Sequence, residues 1–334
     1  MTIITAASES TNADALKTIR VAMIGAGSMA SRVHYPSLAA LPGVEFAGIC
    51  DIDPQRLQQL GDQYRIAQRF SDYRQMIEAV APNAVYAIGP PHHMYDIWTW
   101  CLRQGSNLFI EKPLGLTLHQ ARALTYLANE HGCITQVGFQ RRSSPLAGLL
   151  RRKCLEHGPI EHAVVRFFKN DPAPFLGAAS HILDDSVHAI DTVRWLCEGE
   201  LIDLNIITRR RRTPDVNFIA AQMIFDSGAI GTLHNNWASG RRIFGIEMHA
   251  PGICAEADIE VVGRVYENDD TVGVPYQAGE VAGGEDFYIR GGFLAKSNEF
   301  ITAIRENGLP SSHFGDAVKT MEIAERITAA ELGT

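Results

Sequence analysis

Three groups of residues in this chain have types and spacings that suggest chemistry. The first is Gly25-Ala26-Gly27-Ser28-Met29-Ala30, a GxGxxA pattern that follows the apolar run from Ile19 to Ile24 and opens an amphipathic stretch. In that context the first glycine permits a tight turn, the second lets backbone approach a pyrophosphate, and Ala30 lets the helix pack closely against a sheet. Ser28 and Met29 begin that helix, whose amino end offers unpaired N–H donors and the positive end of its dipole. Asp51, with Ile52 beside it, closes the next apolar run 21 residues past Ala30, where a carboxylate can accept both ribose hydroxyls of an adenosine. A carboxylate there repels a 2′-phosphate and no arginine follows it directly, so NAD is expected in preference to NADP.

The second group is Glu111-Lys112-Pro113, directly after the apolar run from Asn107 to Ile110. Lys112 then stands at the carboxyl end of a strand, where open α/β sheets bind ligands, and the proline restricts its backbone. Taken alone, a solvated surface lysine is the commoner meaning of such a residue. Pro90, in Gly89-Pro90-Pro91, follows another strand in the same way, and Pro90, Glu111 and Lys112 are expected beside the cofactor.

The third group is Asp184-Asp185-Ser186-Val187-His188-Ala189-Ile190-Asp191. If it is helical, Asp184, His188 and Asp191 share a face. Histidine suits proton removal near neutral pH, and a carboxylate one turn away can orient it. A metal site, or a capping aspartate with an unremarkable helix-face histidine, would use the same letters. Arg141 and Arg142 follow the last strand of the first half and are candidates to meet a substrate, together with Asp184 and His188. The basic run Arg209 to Arg212 reads as a solvated or interface strand end.

These groups need elements to hold them. Strands at Ile19–Ile24, Val44–Cys50, Ala84–Ile88, Asn107–Ile110 and Cys133–Val137 alternate with helices at Ser28–Leu41, Pro54–Tyr64, Ser71–Val80, Met94–Gln104 and Thr117–His131. That alternation calls for a doubly wound parallel sheet, an α/β class. Past Gly138 the texture changes to strand-like runs at 160–169, 201–212, 216–225, 229–237, 243–249 and 254–262, with Asp226-Ser227-Gly228 as a hairpin turn. Helices are expected at Pro145–His157, Ser186–Cys197, Phe293–Glu306 and Phe314–Ala330, and an irregular glycine-rich loop at Val272–Gly292. The chain thus divides into a polar tail (1–16), a dinucleotide-binding domain (17–138) and an α+β domain with an open, mostly antiparallel sheet (139–334). The two closing helices are free to pack back on the first domain.

Composition narrows the remaining classes. With 334 residues, 46% of them hydrophobic and 20% charged, the chain is long enough for two folded domains. No run approaches the roughly eighteen apolar residues of a membrane-crossing helix. A net charge of −8 gives no general attraction to nucleic acid or anionic lipid, so neither is expected as a partner. Six scattered cysteines without a CxxC pair read as free thiols in a reducing cytoplasm, and no metal is expected. Trp98, Trp100, Trp195 and Trp237 read as core or interface packing.

GAGSMA at 25–30, EKPLG at 111–115, GFQRR at 138–142, LDDSVHAID at 183–191, FDSGAIGTL at 225–233 and FLAKSNEFITAI from Phe293 match in order and spacing. On these the chain resembles the glucose-fructose oxidoreductase / inositol dehydrogenase / rhizopine-catabolism (Gfo/Idh/MocA) family of NAD(P)-dependent oxidoreductases, from Ile19 to Ile327. The resemblance implies a Rossmann domain followed by an open-sheet domain that supports a homodimer or homotetramer. It also implies interconversion of a secondary alcohol and a ketone on a small polyhydroxylated substrate: a sugar, a sugar derivative or an inositol. Lys112, Asp184 and His188 would be the catalytic residues. His188 would act as base on the hydroxyl, Lys112 would stabilise charge on that oxygen, and Asp184 would position one or the other. Ser186 stands where many members have glycine and Tyr95 where a histidine is frequent, so the pocket's shape is this chain's own. Rival readings are a non-catalytic NAD-binding sensor, an NADPH-dependent carbonyl or imine reductase, and NAD-assisted glycoside cleavage.

Overall fold

The computed structural model describes residues 17–171 and 180–332; the expected polar tail lies outside the described residues. Six strands build the first sheet: β1 (Ile19–Ile24), β2 (Val44–Cys50), β3 (Arg69–Phe70), β4 (Ala84–Ala87), β5 (Leu108–Ile110) and β6 (Thr135–Val137). They run parallel in the order β3-β2-β1-β4-β5-β6. The crossovers are α1 (Tyr35–Ala39), α2 (Pro54–Gln63), α3 (Tyr73–Val80), α4 (Pro91–Arg103) and α5 (Leu118–Glu130). A π-helical turn, Ala30–His34, leads into α1, so the single helix expected from Ser28 is two helical types in succession. Asp72 caps α3, accepting the N–H groups of Arg74 and Gln75 at 2.8 and 3.1 Å.

β1 is buried on both faces, and the period of two separates its side chains into two cores. Ala22 and Ile24 join a large cluster that runs through Val85, Ile110 and Val137 into the second half. Ile19, Val21 and Met23 face a smaller cluster with Tyr35, Tyr86 and Phe109.

In the second half a 3-10 turn (Gln140–Ser143) precedes α6 (Pro145–His157) and β7 (His162–Asn170). A second π-helical turn, Ile182–Ser186, runs straight into α7 (Val187–Cys197). The remaining strands are β8 (Leu201–Arg209), β9 (Phe218–Phe225), β10 (Ile230–Asn236), β11 (Ala238–Ala250), β12 (Ile253–Asp258), β13 (Val262–Glu267) and β14 (Val274–Gln277). Their order is β14-β13-β12-β11-β7-β10-β9-β8; only β7 and β10 pair in parallel. The hairpin turn at 226–228 joins β9 to β10 as expected. The stretch read as an irregular loop instead carries β14, α8 (Ala278–Ala282) and α9 (Phe287–Arg290). Helices α6 and α7 cover one face of this sheet. The other face leaves Ile207 and Ile230 exposed to solvent.

The chain closes with α10 (Phe293–Glu306) and α11 (Phe314–Leu332). Phe300, Ile301 and Ile304 of α10 complete the smaller core beneath β1, so this helix packs back on the first sheet. Truncating the fully buried Phe300 to alanine would cost about 3–5 kcal/mol. Between the two helices the chain adds to the open edge of β6, where Val137 N–H donates to Ser312 O at 2.9 Å. α11 then lies against both α5 and α7, joining the two halves.

Candidate active site

The glycine turn is dictated by sterics. Gly25 has φ +104°, and a Cβ there would sit 1.9 Å from the Ile88 carbonyl oxygen, so only glycine fits. Its N–H donates to Cys50 O at 2.8 Å, and Ile88 N–H donates to Ile24 O at 2.8 Å, which binds together the ends of β1, β2 and β4. A Cβ on Gly27 would meet nothing within 4 Å, so this part of the turn is open to a ligand. Beside it lies a cavity of about 290 Å³ lined by Ala26, Gly27, Ser28, Ser31, Arg56 and Leu60. Ala30 is buried beneath the turn, while Met29 and Ile52 are exposed, Ile52 by 92%.

Asp51 accepts the Ala26 N–H on one oxygen at 2.6 Å and the Asp53 N–H on the other at 2.8 Å. The carboxylate therefore fixes the turn and still has a lone pair on each oxygen for a ribose hydroxyl. An open glycine turn, a helix start and a carboxylate at the neighbouring strand end fit a dinucleotide. Arg56, which no motif marks, lines the same cavity, with Nε 3.2 Å from Asp53. Pro90 stands at the amino end of α4, which is pinned to β4 by the Trp98 Nε1–H bond to Ala87 O at 3.1 Å.

Glu111 is only 7% exposed and accepts a hydrogen bond from His34 Nε2 at 2.7 Å. Three rings, Tyr86, Phe109 and Phe293, surround His34 edge-on. A Cβ at Gly138 would come within 2.9 Å of the Glu111 carboxylate. Glu111 thus ties the segment after the glycine turn to the strand end that carries Lys112; its carboxylate is engaged by His34. The Lys112–Pro113 peptide bond is cis.

Lys112 meets the third group. Its Nζ donates to Asp184 Oδ1 at 2.7 Å and also to the Asp184 carbonyl oxygen. Asp184 lies in the second π-helical turn, and His188 one turn later in α7 is 6% exposed. The imidazole Nδ1 is buried without a partner, and Nε2 makes no hydrogen bond among the described residues. Phe139 packs edge-on against the ring at 6.1 Å. Burial, and then the positive charges of Lys112, Arg141 and Lys169, push the His188 pKa well below its usual value. The ring is therefore neutral at pH 7.

The carboxylates expected to share a face with His188 are engaged elsewhere. Asp191 is fully buried and accepts from Arg142 Nε at 2.8 Å, with a second, very short contact from Arg142 Nη2. Arg142 also meets Asp316 at 2.9 Å and the Ser311 carbonyl at 3.1 Å. The substrate contact expected of Arg142 is one this geometry does not supply: its guanidinium is turned into the junction of α7 with the closing helices. Burial opposes its charge, but Asp191 and Asp316 outweigh that and raise its pKa. Arg141 lies on the His188 side, paired with Glu260 at 2.5 Å and stacked over Phe244 at 4.6 Å.

Lys169 and Asn235, which carry no signal in the sequence, also border the site through Asp185 and Ser186. Lys169, near the end of β7, donates to Asp185 Oδ2 at 2.7 Å, and Trp237 Nε1–H donates to the same oxygen at 2.8 Å. Burial raises the Asp185 pKa, but Lys169, Trp237 and Lys112 together bring it below its usual value. Ser186, where glycine is frequent in the resembled family, accepts from Asn235 Nδ2 of β10 at 2.7 Å. The Arg209–Arg212 run is exposed at the end of β8. Among the described residues no cluster of three or more His, Cys, Asp or Glu side chains could hold a metal ion, and no helix is long and apolar enough to cross a membrane.

Comparison with known proteins gives this geometry a context. Residues 19–139 match the oxidoreductase family model described as an NAD-binding Rossmann fold, GFO_IDH_MocA, and residues 156–264 match the C-terminal domain model of the same family. The scyllo-inositol 2-dehydrogenase (NAD(+)) of Bacillus subtilis is 27% identical over 72% of this chain and 73% of its own length. The D-glucoside 3-dehydrogenase of Escherichia coli is 26% identical over 53% of this chain and 54% of its own. A crystal structure of a dehydrogenase from Chromobacterium violaceum superposes with a TM-score of 0.85, covering 94% of this chain and 96% of that one at 23% identity. Both domain models match in order along one chain, and the glycine turn leads to the paired Lys112 and Asp184 in space: this protein belongs to the Gfo/Idh/MocA family of NAD-binding oxidoreductases.

Proposed function

We propose that the protein interconverts a secondary alcohol and a ketone on a sugar, a sugar derivative or an inositol, using NAD. The observation that carries this reading is a buried, neutral His188 set among the cations Lys112, Arg141 and Lys169, at the carboxyl end of a sheet whose first turn fits a dinucleotide. The relatives named for inositol and glucoside oxidation support the substrate class.

The pyrophosphate falls to the turn of Gly25, Gly27, Ser28, Met29 and Ala30, the adenosine ribose to Asp51 and the adenine to the exposed flank at Ile52. Pro90 and Lys112 border the nicotinamide side, with Glu111 supporting Lys112 through the His34 contact. Bound there, NAD would supply the hydride acceptor. His188 Nε2 receives the proton of the reacting hydroxyl. Its neutral form persists below the pH at which a free imidazole titrates, so a vacant acceptor is ready at neutral pH. The nearby cations resist a charged His188; with NAD bound, its reduction would remove one positive charge as the imidazole gains the proton, so the net charge of the site would not rise. Lys112 uses two donors on Asp184 and has a third for the substrate oxygen, where it stabilises developing negative charge. Asp184 positions Lys112.

We divide the chain functionally at residue 138, with the dinucleotide held before it and Asp184 and His188 supplied after it. The uncovered face of the second sheet, with Ile207 and Ile230 exposed, supports a homodimer or homotetramer built on that face. Six free cysteines support a cytoplasmic location. Arg56 beside the glycine turn favours a second reading for the cofactor, NADP, and titration with both cofactors decides between them. The function itself is tested by offering sugars, uronates and inositols with NAD to the purified protein. NADH formation with a member of the panel is expected, and a protein that binds NADH yet oxidises none of them refutes the proposal.

A further inference from the structure

Period-two alternation along β7 puts Val165, Phe167 and Lys169 on the face that α7 covers, where Val165 and Phe167 are buried. Lys169 rests over the Phe167 ring at 5.0 Å and reaches Asp185, the residue next to the partner of Lys112. Consecutive aspartates therefore each hold an ammonium, Lys112 on Asp184 and Lys169 on Asp185, both at 2.7 Å. The second pair is deeply placed, with side chains 19% and 8% exposed. Both of its known bonds fall on Asp185 Oδ2; Oδ1 makes none among the described residues, and Nζ has used one of three N–H groups.

Among the described residues such a pair leaves a donor and an acceptor side by side. A hydroxyl is the group that both accepts and donates, so it satisfies the two at once. A substrate carboxylate does not: it would lie against Asp184, Asp185 and Glu260, while Lys112, Lys169 and Arg141 are each already paired. Support for Trp237 does not explain the lysine, since the indole N–H needs only the carboxylate. Nor does stability, because a buried ion pair contributes little beyond a well-packed apolar substitute.

We propose that Lys169 and Asp185 form a second hydroxyl-binding pair, taking the hydroxyl adjacent to the carbinol that Lys112 and His188 act on, so that the substrate is an uncharged polyol with a free vicinal hydroxyl. This rests on the oxidoreductase reading above and adds the recognition that chooses among substrates.

The experiment compares a polyol that responds with NAD, its deoxy analogue lacking the adjacent hydroxyl, and the corresponding uronate, in the parent, Lys169→Met and Lys169→Arg proteins. A hydrogen bond to a charged group that leaves its partner unpaired when lost corresponds to roughly a ten- to hundredfold effect. Lys169→Met is expected to lower kcat/KM for the polyol by about that factor while changing the deoxy analogue less than about threefold, with NADH affinity unchanged. Lys169→Arg is expected to restore part of the loss, and the parent to prefer the neutral polyol to the uronate. Equal losses on polyol and deoxy analogue would show a structural role and overturn the proposal, as would an unaltered kcat/KM or a preference for the uronate. A parent protein that oxidises nothing in the panel overturns the functional reading and this pair with it. A parent that oxidises the polyol while Lys169→Met does so equally well overturns the pair alone.

Discussion

Replacing Arg142 with methionine removes the cation that pairs directly with Asp191. That carboxylate is fully buried, and without Arg142 its remaining side-chain contact is the Thr320 hydroxyl at 3.3 Å. Removing one partner of a buried pair costs about 3–5 kcal/mol, because the other charge is left uncompensated. Two features hold the loss to the lower end: Asp316 keeps its bond to Arg194 at 2.9 Å, and the methionine fills most of the vacated volume. The expected loss is about 3 kcal/mol, which at about 2–4 °C per kcal/mol for a unit the size of residues 139–334 is a drop of about 6–12 °C in Tm. Thermal unfolding followed by circular dichroism measures it, with Lys112→Met as the comparison. That variant breaks a pair whose members are 17% and 30% exposed, and its Tm should stay within a few degrees of the parent's. Adding Asp191→Leu to Arg142→Met should recover much of the loss by replacing the stranded charge with apolar volume. An Arg142→Met protein that melts with the parent and has a raised KM would refute this reasoning and return Arg142 to the substrate.

Gly25→Ala should abolish NADH binding or the soluble folded protein, because the new Cβ would lie 1.9 Å from Ile88 O at a φ that alanine avoids; isothermal titration with NADH checks it. Asp51→Asn should narrow the preference for NAD over NADP by at least about tenfold in relative kcat/KM, since the amide no longer repels a 2′-phosphate beside Arg56. His188 has its pKa depressed in the folded protein, so the unfolded chain takes up the proton first as pH falls. Its contribution to stability is then present above about pH 6.5 and lost as the pH drops through the native value. For the same reason the acid limb of the pH–kcat/KM profile should lie below about pH 6.5, and Lys169→Met should move it to higher pH.

The elements most visible in the sequence are those whose pattern is local. Alternation and caps place β1, β2 and α3, and the GxGxxA turn is legible because the clash at Gly25 leaves no other residue type. β3 is not legible because two residues carry no period. The stretch 272–292 looks irregular for its glycines, yet one of them serves packing rather than turning: Gly279 is buried within α8, where a Cβ would press on the Glu285 carboxylate. Neither π-helical turn has a sequence signature, and the second passes Asp184 to Lys112 and Asp185 to Lys169. Motif spacing identified Lys112 and His188 but not the partners of either arginine at 141 and 142. Asp191 lies 49 residues from Arg142 and Glu260 lies 119 from Arg141, so those pairings exist only in the folded chain. Lys169 is one of many strand lysines until β7 is set against α7.

That Lys112 and His188 act on the reacting hydroxyl while the cofactor binds independently of them is tested by measuring NADH formation from a responsive polyol by Lys112→Met and His188→Ala proteins, with the NADH dissociation constant determined on the same samples. Each variant should lose about 10²–10⁴-fold in kcat while binding NADH as the parent does. Turnover at the parental rate by either variant, with NADH bound normally, would contradict it.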